Sequence, residues 1–288
     1  MQTGFIGLGG MGYPMAANLH EADFLVGVYN RTSATAERFA SEYGSRAFAE
    51  LSELAAACEA IIICVSADKD LLAVVDQLVA ALDEHHIVID CSTVASDTAL
   101  EAAARVQRQG AAFMDAPVSG GTEGAQKGTL SMMVGSEQAD FERAWPVLRA
   151  MGNTITHMGS IGSGQATKAV NQVLCAGINL AVCEALRFGE ALDLPMDKVI
   201  DVVGAGAAGN WFVNHRGKTM VQGTYAPGFK LALHHKDLRI CEHMAKARGG
   251  QLPLTEQTRK EYEPLMEAGY GDEDISALYR SRADMFDD

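Results

Sequence analysis

The sequence predicts two domains, an α/β domain with a parallel sheet followed by a smaller all-helical domain. Three observations predict this arrangement. Short, continuously apolar segments alternate with helical segments over the first half of the chain, a glycine-rich turn follows the first of them, and no convincing strand occurs after residue 164. Continuously apolar strands separated by helices are typical of parallel sheets that are covered on both faces.

The predicted elements of the α/β domain follow one another in order. Five segments read as strands, "TGFIGLG", "LVGVYN", "AIIICVS", "HIVIDCS" and "AAFMDAPV", and between them lie the helical segments "MAANLHEA", "TAERFASEY", "DLLAVVDQLVAAL" and "SDTALEAAARVQRQG". Two further strands, at 130–135 and 154–158, flank a helix near residues 138–151. We place the domain boundary in the segment "GSIGSG" (159–164), which gives domains 1–161 and 162–288.

The composition limits the possible functions. The chain has 288 residues, 48% of them hydrophobic and 21% charged, with a formal net charge of −14. This charge argues against a nucleic-acid partner and requires local cations around any anionic ligand. We find no run of 18 or more apolar residues without polar breaks and no basic leader, and the six scattered cysteines lack metal-ligand spacing. We therefore expect a cytoplasmic protein with no membrane partner.

A glycine-rich turn after the first predicted strand indicates a dinucleotide site. Gly7, Gly9 and Gly12 form a G-x-G-x-x-G pattern between a strand and a helix. In such turns the first glycine allows a tight bend, the second lets the backbone approach a pyrophosphate, and the third lets helix and strand pack closely. A purely structural turn would also recruit glycine, but the strand–turn–helix context favours a cofactor site formed by Gly7, Leu8, Gly9, Gly10, Met11 and Gly12.

The end of the second predicted strand indicates which dinucleotide binds. A site for NAD usually has an acidic residue here for the ribose 2′-hydroxyl, whereas this chain has Asn30, Arg31 and Thr32. Arg31 can pair with a 2′-phosphate, and a neighbouring hydroxyl can donate a hydrogen bond to it. The alternative is a solvated arginine at the start of a helix. We predict NADP as the cofactor, with NADPH preferred over NADH.

Lys168 begins a long helical segment that is otherwise apolar. On a helical wheel of about 100° per residue, Asn171, Gln172, Cys175 and Asn179 fall within about 60° of it. This stripe could be a solvent-exposed edge, although such an edge normally carries more charge. A lysine in a water-poor site exchanges protons near neutral pH, because desolvation lowers its pKa. We predict that Lys168 is the general acid/base and that Asn171 and Gln172 bind substrate.

Two predicted strands end in residues that are typical of a ligand-binding edge. Ser119, Gly120 and Gly121 follow the strand "DAPV", and Thr93 lies in "DCSTV" after the strand before it. Ligands bind at the carboxyl edge of open α/β sheets. Successive backbone amides and a serine hydroxyl suit a carboxylate, although an ordinary glycine turn is the alternative for residues 119–121.

The segment "PGFKLALHHKDL" (227–238) contains adjacent histidines but does not predict a metal site. His234 and His235 would point about 100° apart in a helix, and no H-E-x-x-H pattern is present. Ser119 lacks the G-x-S-x-G surroundings of a nucleophile. We therefore predict neither a metal ion nor covalent serine chemistry.

Together these motifs resemble the β-hydroxyacid dehydrogenase family. The resemblance covers nearly the whole chain and is carried, in the family's order and spacing, by "GFIGLGGMGYPMAANL", "DCSTV", "DAPVSGGTEGAQKGTLSMMVGS", "GSGQATKAVNQ" and "PGFKLALHHKDL". It implies a Rossmann-type N-terminal domain, a long interdomain helix and an all-α C-terminal domain used in oligomerisation. It also implies Lys168 as the catalytic lysine, residues 119–121 as the loop that binds the substrate carboxylate, and cofactor contacts from Val65, Thr93, Phe229 and Lys236.

The resemblance leaves the substrate branch open. Many family members have two consecutive asparagines where this chain has Asn171 and Gln172. That difference and "QLPLT" (251–255) resemble tartronate semialdehyde reductases, whereas "GAAGNWFVNHRG" (206–217) is nearer to broad-specificity members. Trp211 and Phe212 could line the substrate pocket or belong to the core.

The predicted function is the NADPH-preferring interconversion of a small 3-oxo acid, such as a semialdehyde, and its 3-hydroxy acid by hydride transfer. We expect a small anionic carboxylate as substrate and a homo-oligomer, a dimer or tetramer, because the helical domain is small for a core of its own. Two alternatives stay open. One is an imine reductase-like enzyme, although that group usually lacks the lysine, and the other is a non-catalytic NADPH-binding interaction protein.

Overall fold

The computed structural model of the chain describes residues 1–286. They divide into two compact units, of which the first ends at Lys168 and the second begins at Ala169. This division falls inside one continuous helix, Ser163–Ala191.

The first unit is built on a nine-stranded sheet in which strands and helices alternate along the chain. Its elements are β1 (Thr3–Ile6), α1 (Gly12–Glu21), β2 (Leu25–Tyr29), α2 (Ser33–Tyr43), β3 (Arg46–Ala47), α3 (Leu51–Ala56), β4 (Ala60–Ile63), α4 (Asp68–Leu78), β5 (Ile87–Asp90), α5 (Ser96–Gln107), β6 (Ala112–Asp115), β7 (Val118–Ser119), α6 (Gly121–Gln126), β8 (Leu130–Gly135), α7 (Gln138–Met151) and β9 (Gly152–Gly159). The strand order is β3-β2-β1-β4-β5-β6-β8-β7, with β9 paired to β8.

Both faces of this sheet are buried, as the continuously apolar strands predict. Phe5 of β1 and Ile62 of β4 lie in one hydrophobic core, whereas Ile6 and Ile61, their chain neighbours, lie in a second. Successive side chains of a strand point to opposite faces. A strand with both faces covered must therefore be apolar at every position, which confirms the α/β assignment of this half of the chain.

The sheet is not wholly parallel, which the sequence pattern did not indicate. Strands β3, β2, β1, β4, β5 and β6 are mutually parallel, but β8 runs antiparallel to β6 and to β7. The chain between β6 and β8 contains only the two-residue β7 and the six-residue α6. Strands β6 and β7 therefore run in the same direction, and the chain reverses its direction through α6 before β8 begins.

The second unit is helical, as predicted. It contains the greater part of α8 (Ser163–Ala191), followed by α9 (Met196–Gly204), α10 (Trp211–Val221), α11 (Leu231–Ala247), α12 (Pro253–Glu267) and two short 3₁₀ helices, Tyr270–Asp272 and Ile275–Arg282. Its own hydrophobic core includes Leu180, Leu238 and Tyr262. Together the two units give the predicted fold class, an α/β domain followed by an all-α region.

Among the described residues, α8 is the one helix long and apolar enough to cross a membrane. Length and composition alone are weak evidence for a span, because the core helix of a water-soluble protein meets the same criterion. The side chains of Gln172 and Asn179 are buried on this helix, and each has a hydrogen-bond partner in the second unit. Buried polar groups paired in this way are the normal content of a packed protein core.

Candidate active site

The glycine turn between β1 and α1 has the geometry of a dinucleotide-binding loop. Gly7 has a φ of 96°, and a Cβ added there would lie 2.2 Å from the carbonyl oxygen of Cys64. A Cβ on Gly12 would lie 1.9 Å from the carbonyl oxygen of Gly7, so α1 packs directly on the turn. Gly9 is exposed, and no atom lies within 4 Å of the position that its Cβ would take. The open side of the loop therefore lies at the second glycine, where a pyrophosphate would approach the backbone.

The start of α1 is also suited to a phosphate group. No side chain caps this helix, and its first turn contains no acidic residue. The first backbone N–H groups of a helix lack partners within the helix and favour negative charge. The turn and the helix start thus fit a nicotinamide dinucleotide, as the G-x-G-x-x-G pattern predicts.

Asn30 and Arg31 occupy different positions at the end of β2. The Asn30 Oδ1 accepts a hydrogen bond from the Leu8 backbone N–H at 2.9 Å, and its Nδ2 donates to the Thr32 carbonyl at 3.1 Å. Asn30 therefore holds the glycine turn. The Arg31 side chain is 87% exposed, with its Nη1 3.2 Å from Asp70 Oδ1. Thr32 precedes α2 and makes no side-chain hydrogen bond to that helix start.

The segments after β4 and β5 are joined through Ser92. The Val65 N–H donates to Ser92 Oγ at 2.9 Å, and the Ser92 N–H donates to Asp90 Oδ1 at 3.0 Å. Burial raises the pKa of the neighbouring Cys91 thiol well above its ordinary value. Cys91 is therefore a neutral thiol in the core and not a nucleophile. Val65 and Thr93 thus lie on adjacent segments at the carboxyl edge of the sheet, where ligands bind in this class of fold.

Asp115, the last residue of β6, holds the beginning of α8. Its side chain is buried and accepts hydrogen bonds from the backbone N–H groups of Gly162 at 2.7 Å and Gln165 at 2.8 Å. Desolvation raises the pKa of Asp115, although these backbone hydrogen bonds act in the opposite direction. The carboxyl group thus satisfies N–H groups that a helix start leaves unpaired. Sequence reasoning placed Asp115 at a strand end but did not find this role.

Gln165, in the first turn of α8, binds the chain on both sides of Thr93. Its Nε2 donates to the Ser92 carbonyl at 2.8 Å, and its Oε1 accepts from the Val94 N–H at 3.2 Å. Lys168 follows one turn later on the same helix and is 6% exposed. This burial rules out the solvent-exposed edge considered for the polar stripe. The structure therefore places the first turn of α8, one turn before Lys168, against the Thr93 segment and the end of β6.

The loop after β6 adopts backbone conformations that require glycine. Ser119 ends β7, and Gly120 and Gly121 have φ values of 137° and 62°. These values lie in the region that L-residues with a side chain rarely adopt. Gly120 is exposed and Ser119 is half-buried. The predicted carboxylate-binding residues are thus presented at the surface of the first unit.

In the second unit, a chain of polar contacts runs from Asn171 to Lys236. The Asn171 Nδ2 donates to Gln172 Oε1 at 2.7 Å, and the Gln172 Nε2 donates to Asp237 Oδ2 at 2.7 Å. The other oxygen of Asp237 lies 3.0 Å from Lys236 Nζ in an ion pair. Both amide atoms of Gln172 are therefore engaged within the protein, and Asn171 is oriented by its neighbour.

The loop that carries Phe229 is held by a residue that sequence reasoning missed. The buried Asp274 carboxylate accepts from the N–H groups of Gly228 at 2.9 Å and Phe229 at 3.1 Å, and it pairs with Arg216. The same carboxylate caps the 3₁₀ helix Ile275–Arg282 by accepting from the Ser276 N–H at 3.1 Å, but its contacts with residues 216, 228 and 229 lie too far away in sequence for a local motif to reveal them.

Trp211 and Phe212, for which the sequence allowed either a pocket-lining or a core position, lie in different environments. Phe212 is 6% exposed in the core of the second unit. Trp211 is 46% exposed and stacks on His215 with ring centroids 4.6 Å apart.

His234 is buried and its Nδ1 lies 3.0 Å from the Tyr262 hydroxyl. His234 therefore belongs to the core, and over residues 1–286 no group of three His, Cys, Asp or Glu side chains could hold a metal ion.

Comparison with known proteins agrees with the fold and with the cofactor loop. Residues 2–159 match the family model described as the NAD binding domain of 6-phosphogluconate dehydrogenase. Residues 162–281 match the model described as NAD-binding of NADP-dependent 3-hydroxyisobutyrate dehydrogenase. The two matches account for nearly the whole described chain.

Several individual proteins are similar along almost their full length. An uncharacterized oxidoreductase of Shewanella frigidimarina is 39% identical over 88% of this chain and 88% of its own. The NAD-dependent L-serine dehydrogenase of Pseudomonas aeruginosa is 30% identical over 97% of each chain. A structure of Mycobacterium tuberculosis 3-hydroxyisobutyrate dehydrogenase with L-serine has a TM-score of 0.88 and 31% identity, covering 98% of this chain and 100% of that one.

The fold, the glycine loop and these matches define a class of enzyme, the NAD(P)-dependent dehydrogenases of hydroxy acids. The chain belongs to the β-hydroxyacid dehydrogenase family, as the resemblance of its motifs predicts.

Proposed function

We propose that the protein is an NADPH-preferring reductase of a small 3-oxo acid, a semialdehyde, and that it forms the corresponding 3-hydroxy acid. The observation that carries this proposal is the buried Lys168, which lies one turn after Gln165 on a helix whose start is bound to the ends of β5 and β6. This is the edge where the reactive end of a bound dinucleotide lies in related folds.

The residues of this chain have separate tasks in the proposed reaction. The bound cofactor would supply a hydride to the carbonyl carbon. Lys168 would donate a proton to the carbonyl oxygen, because a buried ammonium group is a proton donor whose position is fixed. Ser119 and the backbone of Gly120 and Gly121 would hold the substrate carboxylate. Asn171, oriented by Gln172, would contact the substrate oxygen, which leaves Gln172 an orienting role.

A carboxylate requirement tests this function. We expect the wild-type protein to oxidise NADPH with at least one of tartronate semialdehyde and methylmalonate semialdehyde, which are 3-oxo acids. Succinate semialdehyde, a 4-oxo acid, should react more slowly, because its carbonyl lies one carbon further from the carboxylate. Propanal, which has an aldehyde but no carboxylate, should react with a kcat/KM at least about 100-fold lower, since a site built for an anion discriminates strongly against its absence. Equal rates with propanal would contradict the proposed carboxylate site.

The preference for NADPH is proposed from the residues of this chain alone, because one relative is NAD-dependent by name. Arg31 is exposed, the start of α2 is uncapped, and no acidic residue lies in its first turn. A 2′-phosphate could pair with Arg31 and accept hydrogen bonds from the first N–H groups of α2.

Asp70 competes with that phosphate for Arg31. We expect Asp70→Asn to lower the NADPH dissociation constant about three- to tenfold, because it removes a surface ion pair and a nearby negative charge. Arg31→Ala should raise that constant by about tenfold or more, since a charge-assisted hydrogen bond is lost. Fluorescence titration with NADPH and NADH measures both effects.

The control for these two variants is Arg38→Ala, which removes a cation from the same helix α2 where it stacks on Tyr13. It should change the affinity for NADPH and NADH alike by no more than about twofold. If Arg31→Ala weakens NADPH no more than Arg38→Ala does, Arg31 is not the phosphate contact.

We further propose a water-soluble cytoplasmic homo-oligomer, a dimer or tetramer. The face of α8 opposite the polar stripe exposes Val170, Leu174 and Phe188, each more than half exposed. An exposed apolar patch on one helix face marks a surface that associates with another protein. A second copy of the chain would cover it.

A further inference from the structure

The amide of Gln165 joins two segments of the first unit that carry proposed active-site residues. One segment is 92–94, in which Thr93 is the proposed cofactor contact. The other is the first turn of α8, which leads to Lys168. The two hydrogen bonds of Gln165 go to the carbonyl before Thr93, at 2.8 Å, and to the N–H after it, at 3.2 Å. Gln165 therefore binds the backbone on both sides of Thr93.

Only a carboxamide can make both of these bonds at neutral pH. The Ser92 carbonyl needs a donor and the Val94 N–H needs an acceptor, and an amide supplies one of each. Ser92, Val94 and Gln165 are each no more than 2% exposed. Water therefore cannot readily replace the side chain, and its removal leaves two buried backbone groups without their partner.

The backbone of Gln165 is held by the carboxylate of Asp115 at the end of β6. Its backbone N–H donates to Asp115 Oδ2 at 2.8 Å, and the same carboxylate accepts from Gly162 at 2.7 Å through its other oxygen. Lys168 lies three residues further on, and residues so spaced share a helix face. The end of β6, the Thr93 segment and the helix turn before Lys168 are thus tied together by buried hydrogen bonds.

We propose that Gln165 is a positioning residue that fixes Lys168 relative to Thr93, and thereby the proton donor relative to the reacting end of the cofactor. This inference rests on the proposed function. Gln165 touches neither substrate nor cofactor in this role. Its effect should appear in the chemical step, because small displacements of a catalytic group have large effects on rate.

The first test compares Gln165→Met with the wild type. Methionine fills a similar volume but makes neither bond. We expect kcat for semialdehyde reduction to fall about 10- to 100-fold, with the NADPH dissociation constant and the substrate KM changed no more than about threefold. The control is His86→Leu, which removes a buried hydrogen bond to the Ala55 carbonyl at the opposite, amino edge of β5. It should lower the melting temperature comparably and leave kcat unchanged.

The second test uses the pH dependence of Gln165→Glu. When ionised, the introduced carboxylate can accept from the Val94 N–H but cannot donate to the Ser92 carbonyl. Once protonated, the carboxylic acid can do both. The ratio of variant to wild-type kcat should therefore rise as the pH falls toward the pKa of the introduced carboxyl group, which burial raises. Gln165→Met should show no such recovery, and neither should a variant that is merely less stable.

Hydrogen exchange separates failure of this inference from failure of the proposed function. In Gln165→Met we expect faster amide exchange in segment 92–94 and in the first turn of α8, but unchanged exchange near His86. A wild type that reduces no semialdehyde would refute the function, and the exchange experiment would still decide whether Gln165 couples the two segments. If Lys168→Ala loses activity while Gln165→Met matches His86→Leu in kcat and in exchange, the positioning role is wrong.

Discussion

Replacing Lys168 by alanine should lower kcat for semialdehyde reduction by about 10²–10⁴, the usual contribution of a single general acid. The NADPH dissociation constant should stay within about twofold of the wild-type value, because the proposed cofactor contacts lie on other elements. Steady-state kinetics and a nucleotide titration of the same preparation measure both quantities. A decrease in kcat without a change in cofactor affinity is the signature of a group that acts in the chemical step.

Two further variants separate proton donation from charge. Lys168→Arg keeps a cation, but a guanidinium does not release its proton at neutral pH. We therefore expect it to be nearly as slow as Lys168→Ala. The exposed Lys198→Ala on α9 is the control for loss of a lysine and should keep full activity. A Lys168→Arg enzyme as fast as the wild type would show that the charge alone matters and would contradict the proton-donor role.

The second large effect is expected at the glycine loop. Gly12→Ala places a methyl group 1.9 Å from the Gly7 carbonyl oxygen and 3.0 Å from a ring carbon of Phe5. The carbonyl is backbone, so α1 must move away from β1. We expect a loss of about 1–3 kcal/mol or more in the free energy of unfolding, as for overpacked cores. NADPH binding should weaken by at least about 100-fold, because the helix start would no longer meet the phosphates.

Gly9→Ala is the matched variant. No atom lies within 4 Å of its added Cβ, so the free energy of unfolding should change by no more than about 0.5 kcal/mol. Its methyl group would nevertheless occupy the open side of the loop, so NADPH affinity should fall. Thermal unfolding without nucleotide and titration with NADPH distinguish the two variants. If Gly9→Ala binds NADPH as well as the wild type, the pyrophosphate does not approach the loop at this glycine.

The sequence predicted the main strands of the first unit because burial on both faces produces a continuous run of apolar residues within each strand. Strands such as β4 (Ala60–Ile63) must be apolar at every position, and this pattern is visible without any partner. The two-residue strands β3 and β7 are too short to show such a run, since they are defined only by the strands they pair with. The antiparallel direction of β8 was missed for the same reason.

The same distinction between local patterns and long-range contacts applies to the residues of the candidate site. The sequence could single out Lys168 and its polar neighbours as candidates because a polar stripe on an apolar helix is a local pattern. The structure adds that the stripe is the buried side, with Gln172 and Asn179 satisfied by groups more than 60 residues away. Asp115 and Gln165 were missed, because their hydrogen bonds join positions 47 to 73 residues apart and no short motif records them.

The most direct test of the account follows a deuterium label from NADPH into the product. Wild-type protein is incubated with NADPH that carries deuterium in place of the hydrogen transferred as hydride and, one at a time, with the tartronate, methylmalonate and succinate semialdehydes. The products are analysed by mass spectrometry and NMR. We predict a 3-hydroxy acid that carries one deuterium on the former carbonyl carbon from tartronate or methylmalonate semialdehyde. With Lys168→Ala the labelled product should form about 10²–10⁴ times more slowly. Tight NADPH binding with no labelled product from any semialdehyde would contradict the proposed reductase function.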